Sequence, residues 1–549
     1  MRSFFLALIL LFVGCKSSDA KPAAKAQRDA GVPKVAKVKR KRQAMAKQNL
    51  ARISTRPRTK IERANAKSAI GMNLVHLDFV STEWAFLDSV RTAGWWTSGT
   101  VDRWNDGRRI EKTEAGWPKK LASGQRASVV ISAQEGGPMV LTYAGRGALE
   151  IAGTERPLKG LAKKKNRITF TAQPNQRMTL TIVETDPKDP VVDVRVYPKR
   201  YEERVQAGAV FHPVFLERLA PFSVLRFMDW QIINGTRVQR WEQRSDPRYY
   251  AQAVPAGVAY EYMVLLANTL KADPWLCIPH GADDAFVEKL ATFLREELDP
   301  SLTLYIEYSN EVWHDHPAFT QAAYAREHAA AAKLDKDPDG AKMMFQGRRS
   351  TEIMKIFERI FGTEHLVRVL GSQLGNHYAH DALVKERETR AHHDAIAIGV
   401  YFGHEVSGLD DLLKKDDEEK IHALIEKTSL PWTIDAIRSS TRWGKANDFD
   451  VIAYEGGQHL VTHPGLEQNR QVQSLLDRVD ADPRMKGHYT KLLSGWKAEG
   501  GGVFVHFVYA AEPAPFGRFG ALRSTGQSPK DAPKYEALLE FIEKNPRWW

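Results

Sequence analysis

Short runs of apolar and β-branched residues recur from residue 70 onward, each ending in polar or aromatic residues. They fall at 71–79 (GMNLVHLDF), 224–230 (VLRFMDW), 275–280 (WLCIPH), 302–308 (LTLYIEY), 366–374 (LVRVLGSQL), 395–402 (AIAIGVYF), 449–455 (FDVIAYE) and 502–509 (GVFVHFVY). Between most of them, 261–270, 284–298, 343–361 and 410–429 repeat apolar residues at helical spacing. Continuous apolar strands alternating with helices predict a parallel sheet covered on both faces. Eight such units point to the α/β class and a (β/α)8 TIM barrel. Periodicity alone also admits a doubly wound open sheet.

One interval breaks the alternation. Residues 80–223 are too many for a loop. Within them, 127–133, 139–143, 148–152, 167–171, 178–183 and 191–197 alternate at period two, punctuated by Gly136-Gly137-Pro138 and Pro174-Asn175. This predicts a small antiparallel, sandwich-like β-domain over 98–205. The first barrel strand and helix then occupy 67–97, and 206–549 hold the rest of the barrel.

Composition narrows the class. The 549 residues are 43% hydrophobic and 27% charged, which excludes a disordered chain. Two cysteines, Cys15 and Cys277, exclude a disulfide framework, and Cys277 reads as a small buried hydrophobe. The net charge of +12 sits at one end: residues 1–66 carry 17 Lys and Arg against 3 Asp and Glu, and the remainder 62 against 64. A near-neutral body predicts no nucleic-acid partner.

Arg2, the apolar run 4–14 and Val13-Gly14-Cys15 read as an export signal over 1–15. The Cys at that place resembles the lipobox of bacterial lipoproteins, with Phe12 where Leu is more usual. The resemblance implies lipidation of Cys15 and an exported protein anchored to a membrane of the cell envelope. Residues 16–66, rich in Lys, Arg, Ala and Pro, read as a basic disordered linker.

Barrel active sites form at the C-terminal ends of the strands. Here the fourth run leads into Ser309-Asn310-Glu311-Val312-Trp313 and the seventh into Tyr454-Glu455-Gly456-Gly457. Two carboxyl groups about 5–5.5 Å apart cleave glycosidic bonds with retention. Asn-Glu after strand four and Glu after strand seven resemble clan A of the glycoside hydrolases, over 70–95 and 205–549. The YIEYSNEVW and RFMDW runs also resemble uncharacterised secreted proteins described as cellulose-binding.

The clan resemblance implies a retaining glycosidase acting on β-linked glycans, with Glu311 as acid/base and Glu455 as nucleophile. It further implies Asn310 as donor to a substrate hydroxyl, with Arg226 and Tyr401 beside the nucleophile. The expected partner is a polysaccharide or oligosaccharide, and the mechanism needs no cofactor. On physical grounds Arg226 should depress the pKa of Glu455, and a drier pocket should raise that of Glu311.

Trp230, Trp241 and Trp313 are candidate sugar platforms, and His280 and His377 candidate substrate contacts. His76, Asp78 and His280 lack short ligand spacing, so no metal site is expected. Strand eight runs His506-Phe507-Val508-Tyr509 where the clan often has Trp. The competing reading is a non-catalytic glycan-binding lipoprotein of the cell envelope.

Overall fold

The computed structural model describes residues 65–408, 413, 415–462 and 465–549; Cys15 and the basic segment to residue 64 lie outside the described residues. Strand β1 (Ile70–Asn73) is followed by β2 (Thr97–Gly99), β3 (Glu111–Lys112), β4 (Pro118–Lys120), β5 (Arg126–Ser132) and β6 (Gly137–Ala144). Next come β7 (Gly147–Gly153), β8 (Lys159–Lys164), β9 (Arg167–Ala172), β10 (Arg177–Thr185) and β11 (Val192–Pro198). The remaining strands are β12 (Val224–Arg226), β13 (Asp273–Ile278), β14 (Leu304–Tyr308), β15 (Leu366–Gly371), β16 (Ala395–Phe402), β17 (Asp450–Gln458) and β18 (Phe504–His506).

β1 and β12 to β18 pair in parallel and close into an eight-stranded barrel. The pairing of β18 with β1 excludes the open sheet. The chain is a (β/α)8 barrel carrying an inserted antiparallel β-domain.

Helices cover the outside of the strands and side chains fill the inside, so the strands read as unbroken apolar runs. Every residue of β13 and β14 is buried. Leu225, Leu276, Ile306 and Ile398 face the helices, while Val224, Trp275, Tyr305, Val369, Ala397 and Val505 pack inside.

The helix Asp284–Glu297 shows the logic of the outer layer. Phe286, Val287, Leu290, Ala291 and Leu294 recur on one buried stripe. The Asp283 carboxylate caps it by accepting the Phe286 N–H at 2.7 Å, a contact of about 1 kcal/mol. Asp299-Pro300 follows its end, where the residue before proline avoids helical backbone.

In the insertion, β2, β5, β10 and β7 form one sheet and β11, β6, β9 and β8 a second. Alternation sends Ile168, Phe170, Met178, Leu180 and Ile182 into the shared core. All six residues of edge strand β8 are exposed, and its lysines resist pairing with another chain. The insertion leaves from the C-terminal end of β1, the end where barrel sites form. Trp96 and Trp117 pack on Tyr250 of the β12–β13 loop, 5.8 and 5.4 Å between ring centres, and the Tyr250 hydroxyl donates to the Gly94 carbonyl at 2.8 Å.

Three expectations need correction. Residues 67–97 hold no α-helix, only the 3-10 turn Ser89–Thr92. The insertion separates β1 from its helix, Pro213–Leu219, which buries Phe215 and Leu219. β1, β12 and β18 are also shorter than their apolar runs: β1 stops at Asn73, whose side chain turns inward to bond the Tyr454 and His506 carbonyls. Last, the run expected to end a helix at residue 429 continues from Glu418–Leu424 through a π turn, Ile425–Ser429, into the helix Leu430–Ala446. Pro431 cannot supply an amide to the preceding turn, and the wider turn absorbs that loss.

Candidate active site

A guanidinium lies at the centre of the barrel mouth. Arg226, the last residue of β12, is fully buried and spends all five of its N–H groups. Nε and Nη2 donate to Glu307 Oε2 at 3.2 and 2.9 Å. Nη1 donates to Glu455 Oε1 at 2.8 Å and to Asn73 Oδ1 at 3.2 Å, and Nη2 also reaches Asn310 Oδ1 at 2.9 Å. Four strands are tied together by this one side chain. Trp275 adds its indole N–H to Glu307 at 2.9 Å.

Backbone irregularities aim the two candidate glutamates. In β17, Ala453 pairs with Ile398 and Glu455 with Gly399, so Tyr454 is an extra, bulged residue. Alternation would send neighbours to opposite faces; the bulge turns both inward, with the Tyr454 ring 5.0 Å from the Arg226 guanidinium and the Glu455 carboxylate bonded to it. Gly399 makes room, since a Cβ there would meet the Tyr454 hydroxyl at 2.9 Å.

After β14, Ser309 and Glu311 both adopt left-handed backbone, φ 59° and 40°. Such conformations cost of order 1 kcal/mol or more in non-glycine residues and gather at functional sites. They turn Asn310 toward Arg226 and bring Glu311 Oε1 within 2.9 Å of the donating Tyr454 hydroxyl. Gln321 and Asn234 fix Asn310: Asn310 Nδ2 donates to Asn234 Oδ1 at 3.1 Å, and Gln321 Nε2 donates to the Asn310 carbonyl at 2.8 Å.

The two glutamates differ in their donors. Glu455 receives Arg226 on one oxygen and the Tyr401 hydroxyl on the other, at 2.7 Å. Among the described residues, Glu311 receives only the Tyr454 hydroxyl. Burial first, then the charge of Glu455, pushes the Glu311 carboxyl up to about 8. Burial raises Glu455 as well, against the pull of Arg226 and Tyr401. The expectation that Arg226 would hold Glu455 below the usual range is therefore corrected, because the guanidinium is shared with Glu307 and the site is dry. Both of its donors favour the ionised form, so Glu455 is the member of the pair that loses its proton first.

Two further carboxyls extend the site: Asp229, a polar group at the end of the second barrel strand that faces the Glu455 charge, and Glu83, which sequence reasoning missed and which faces Asp229. Asp229, three residues beyond Arg226, is pushed to about 7 by burial and then by the Glu455 charge. Glu83 is buried and raised to about 8, chiefly by burial, although the Val75 N–H and Trp230 indole N–H donate to it at 3.0 and 2.8 Å. Glu83 comes from the segment leaving β1, whose position no local pattern reveals. Glu307 and Tyr454 were missed too. Their signal was a Glu and a Tyr inside otherwise apolar strands.

The expected binding residues divide. Arg226, Asn310 and Tyr401 meet at the glutamates, and the Trp313 ring packs 6.2 Å from that of Tyr454. Trp230 is not a sugar platform: it is buried at 1% exposure against Phe86, Phe215 and Phe227, because the chain turns inward once β12 ends. Trp241 stacks on Tyr260, 6.1 Å between ring centres, in the outer helix layer.

His280 is buried, with its ring against Tyr324 at 5.2 Å and its pKa lowered to about 4 by burial. His377 begins the helix His377–Leu383 and bonds Ser439 at 2.9 Å. Neither histidine joins the Arg226 network. Phe507, the residue after β18, packs on Met228, Ile233 and Cys277. Cys277 is buried, with Sγ 3.5 Å from Glu307 Oε2. Among the described residues, no group of three or more His, Cys, Asp or Glu is arranged to hold a metal.

No protein-family model matches the chain, and no curated protein matches it. Solved structures match part of it. A modular endo-β-1,4-mannanase from Cellulomonas fimi, reported with family 26 glycoside hydrolase mannanases, is similar at 11% identity and a TM-score of 0.32, over 57% of this chain and 63% of that one. A GH51 arabinofuranosidase from Xanthomonas axonopodis pv. citri is similar at 10% identity and a TM-score of 0.37, over 60% and 65%. Endoglucanase Cel5A from the hyperthermophile Thermotoga maritima is similar at 14% identity and a TM-score of 0.33, over 60% and 91%. The chain spans just under two thirds of the length of the first two.

Proposed function

We propose that the barrel is a retaining glycoside hydrolase acting on β-linked glycans, with Glu455 as nucleophile and Glu311 as acid/base. One observation carries this reading: of two adjoining carboxyls, Glu455 receives a guanidinium and a phenol, while Glu311 sits where burial keeps its proton. In the first step Glu455 forms a bond to the anomeric carbon as the glycosidic bond breaks, and the Glu311 proton goes to the leaving oxygen. Water then attacks the same carbon, gives its proton to Glu311, and the ester bond to Glu455 breaks.

Asn310 keeps one Nδ2 hydrogen free of its bond to Asn234, available to a substrate hydroxyl. The β linkage follows from the strand-end resemblance to clan A. Export and lipidation at Cys15 belong to the same reading and rest on the first 15 residues of the sequence. A mature N-terminus at a diacylated Cys15, read by mass spectrometry, is its check.

The test of function is product release from β-glucan, mannan, xylan and galactan by the parent, by Glu311→Gln and by Glu455→Gln. Cleavage of one polymer, lost in both variants, is the expected result. Retention of a polymer with no cleavage by the parent would instead make the protein a non-catalytic glycan binder.

A further inference from the structure

The insertion carries a second surface suited to sugar. Cross-strand register builds its rows: Thr97 pairs with Ser128, Ser128 with Thr181 and Thr181 with Glu150. In the next row Val130 pairs with Thr179 and Thr179 with Ala152, and the Gly94 N–H bonds the Val130 carbonyl at 3.0 Å. Trp95 therefore stands at the open end of that row. Its neighbour Trp96 turns into the sandwich core, and Trp95 faces out at 53% exposure.

The chemistry of this face selects its occupant. Its apolar groups, Trp95, Val130, Ala148, Ala152 and Val183, include a single large side chain, too little for the buried centre of a protein interface. Its cations, Arg126 and Arg177, are paired with Glu150 and Glu155, which leaves no charge for a phosphate backbone. What remains is one broad indole beside the half-buried Thr97, Thr179 and Thr181; Ser128 lies beneath, buried and bonded to the Thr181 hydroxyl at 2.9 Å, and the Thr97 hydroxyl donates to the Trp95 carbonyl at 3.3 Å. A sugar ring matches that combination, with an apolar C–H face for the indole and hydroxyls for the threonines.

The edge nearest Trp95 is fastened to the barrel rim. Arg91 Nη1 donates to the Pro247 and Tyr249 carbonyls at 3.3 and 2.8 Å, and the Tyr250 hydroxyl bonds Gly94. These residues lie on the loop leaving β12, the strand that ends in Arg226.

We propose that the outer face of the β2–β5–β10–β7 sheet binds a neutral glycan chain, with Trp95 stacked on one sugar ring, as a site separate from the glutamate cleft. A polymer held there is held beside the barrel mouth.

Co-sedimentation of the full chain with insoluble β-glucan, mannan, xylan and galactan tests this. The chain carries Glu455→Gln so that no polymer is consumed. One polymer should retain the protein, and Trp95→Ala should weaken that retention about tenfold. Leu161→Ala, an exposed apolar residue on the other sheet, should leave it unchanged. With Glu455 intact, Trp95→Ala should cleave short soluble oligosaccharides as the parent does. Retention lost with Trp95 by a protein that cleaves nothing would keep this site and sink the glycosidase reading. Equal retention with and without Trp95, or retention on no polymer, would overturn the site itself.

Discussion

Replacing Tyr401 with Phe removes one hydroxyl and keeps the ring that packs on His459 and Phe519. The lost contact is the 2.7 Å bond to Glu455 Oε2, a donor that favours the ionised carboxylate. A hydrogen bond to a charged group contributes about 1.5–3 kcal/mol, and one pKa unit corresponds to about 1.4 kcal/mol. The acid limb of kcat/KM, which reports formation of ionised Glu455, should therefore move up by about 1–2 pH units. The alkaline limb reports loss of the Glu311 proton near 8, so the active window narrows from its acid side. The two limbs belong to the coupled pair, and their separation is the quantity to follow. The assay is kcat/KM across roughly pH 4–10 on a glycan that the parent cleaves. An acid limb that stays in place or moves down in Tyr401→Phe would refute the assignment of Glu455 as the ionised partner.

Tyr454→Phe should act on the other limb: without the hydroxyl at Glu311 Oε1, the Glu311 carboxyl rises further above 8 and the alkaline limb moves to higher pH. Trp230→Phe should lower stability by about 2–3 kcal/mol in urea, from the cavity and the lost bond to Glu83, with KM unchanged because the ring is buried among Phe86, Phe215 and Phe227. Arg226→Met should cost about 3–5 kcal/mol, because a buried carboxylate is left without its cation. With burial of Glu455 then opposed by one fewer donor, its folded-state pKa rises further above its unfolded value. The folded form binds more protons, so the loss in urea should be larger at pH 8 than at pH 5.

The barrel was legible because burial on both faces turns each strand into an apolar run; the run at 449–455 ends on Glu455, and Glu311 follows three residues after the run at 302–308. The fine geometry was not. A one-residue bulge at Tyr454 decides that Glu455 points inward, and register is invisible in a single chain. Trp230 misled because the apolar run continues past the last ladder residue, Arg226; its ring turns to Phe86, which the sequence places far away beside β1. The missing helix of the first unit has the same cause. Pro213–Leu219 belongs to β1 but follows the whole insertion, so no local period links them. Glu307 was passed over because a lone Glu in an apolar run explains itself only when Arg226 is found two strands away.

The central claim is a covalent bond between sugar and Glu455. The most direct measurement incubates the full chain with 2-fluoro glycosides of glucose, mannose, xylose and galactose, and maps any adduct by peptide mass spectrometry. The account predicts a glycosyl adduct on the peptide containing Glu455, absent from Glu455→Gln. An adduct on another residue, or turnover of a glycan with inversion and no adduct, would contradict it.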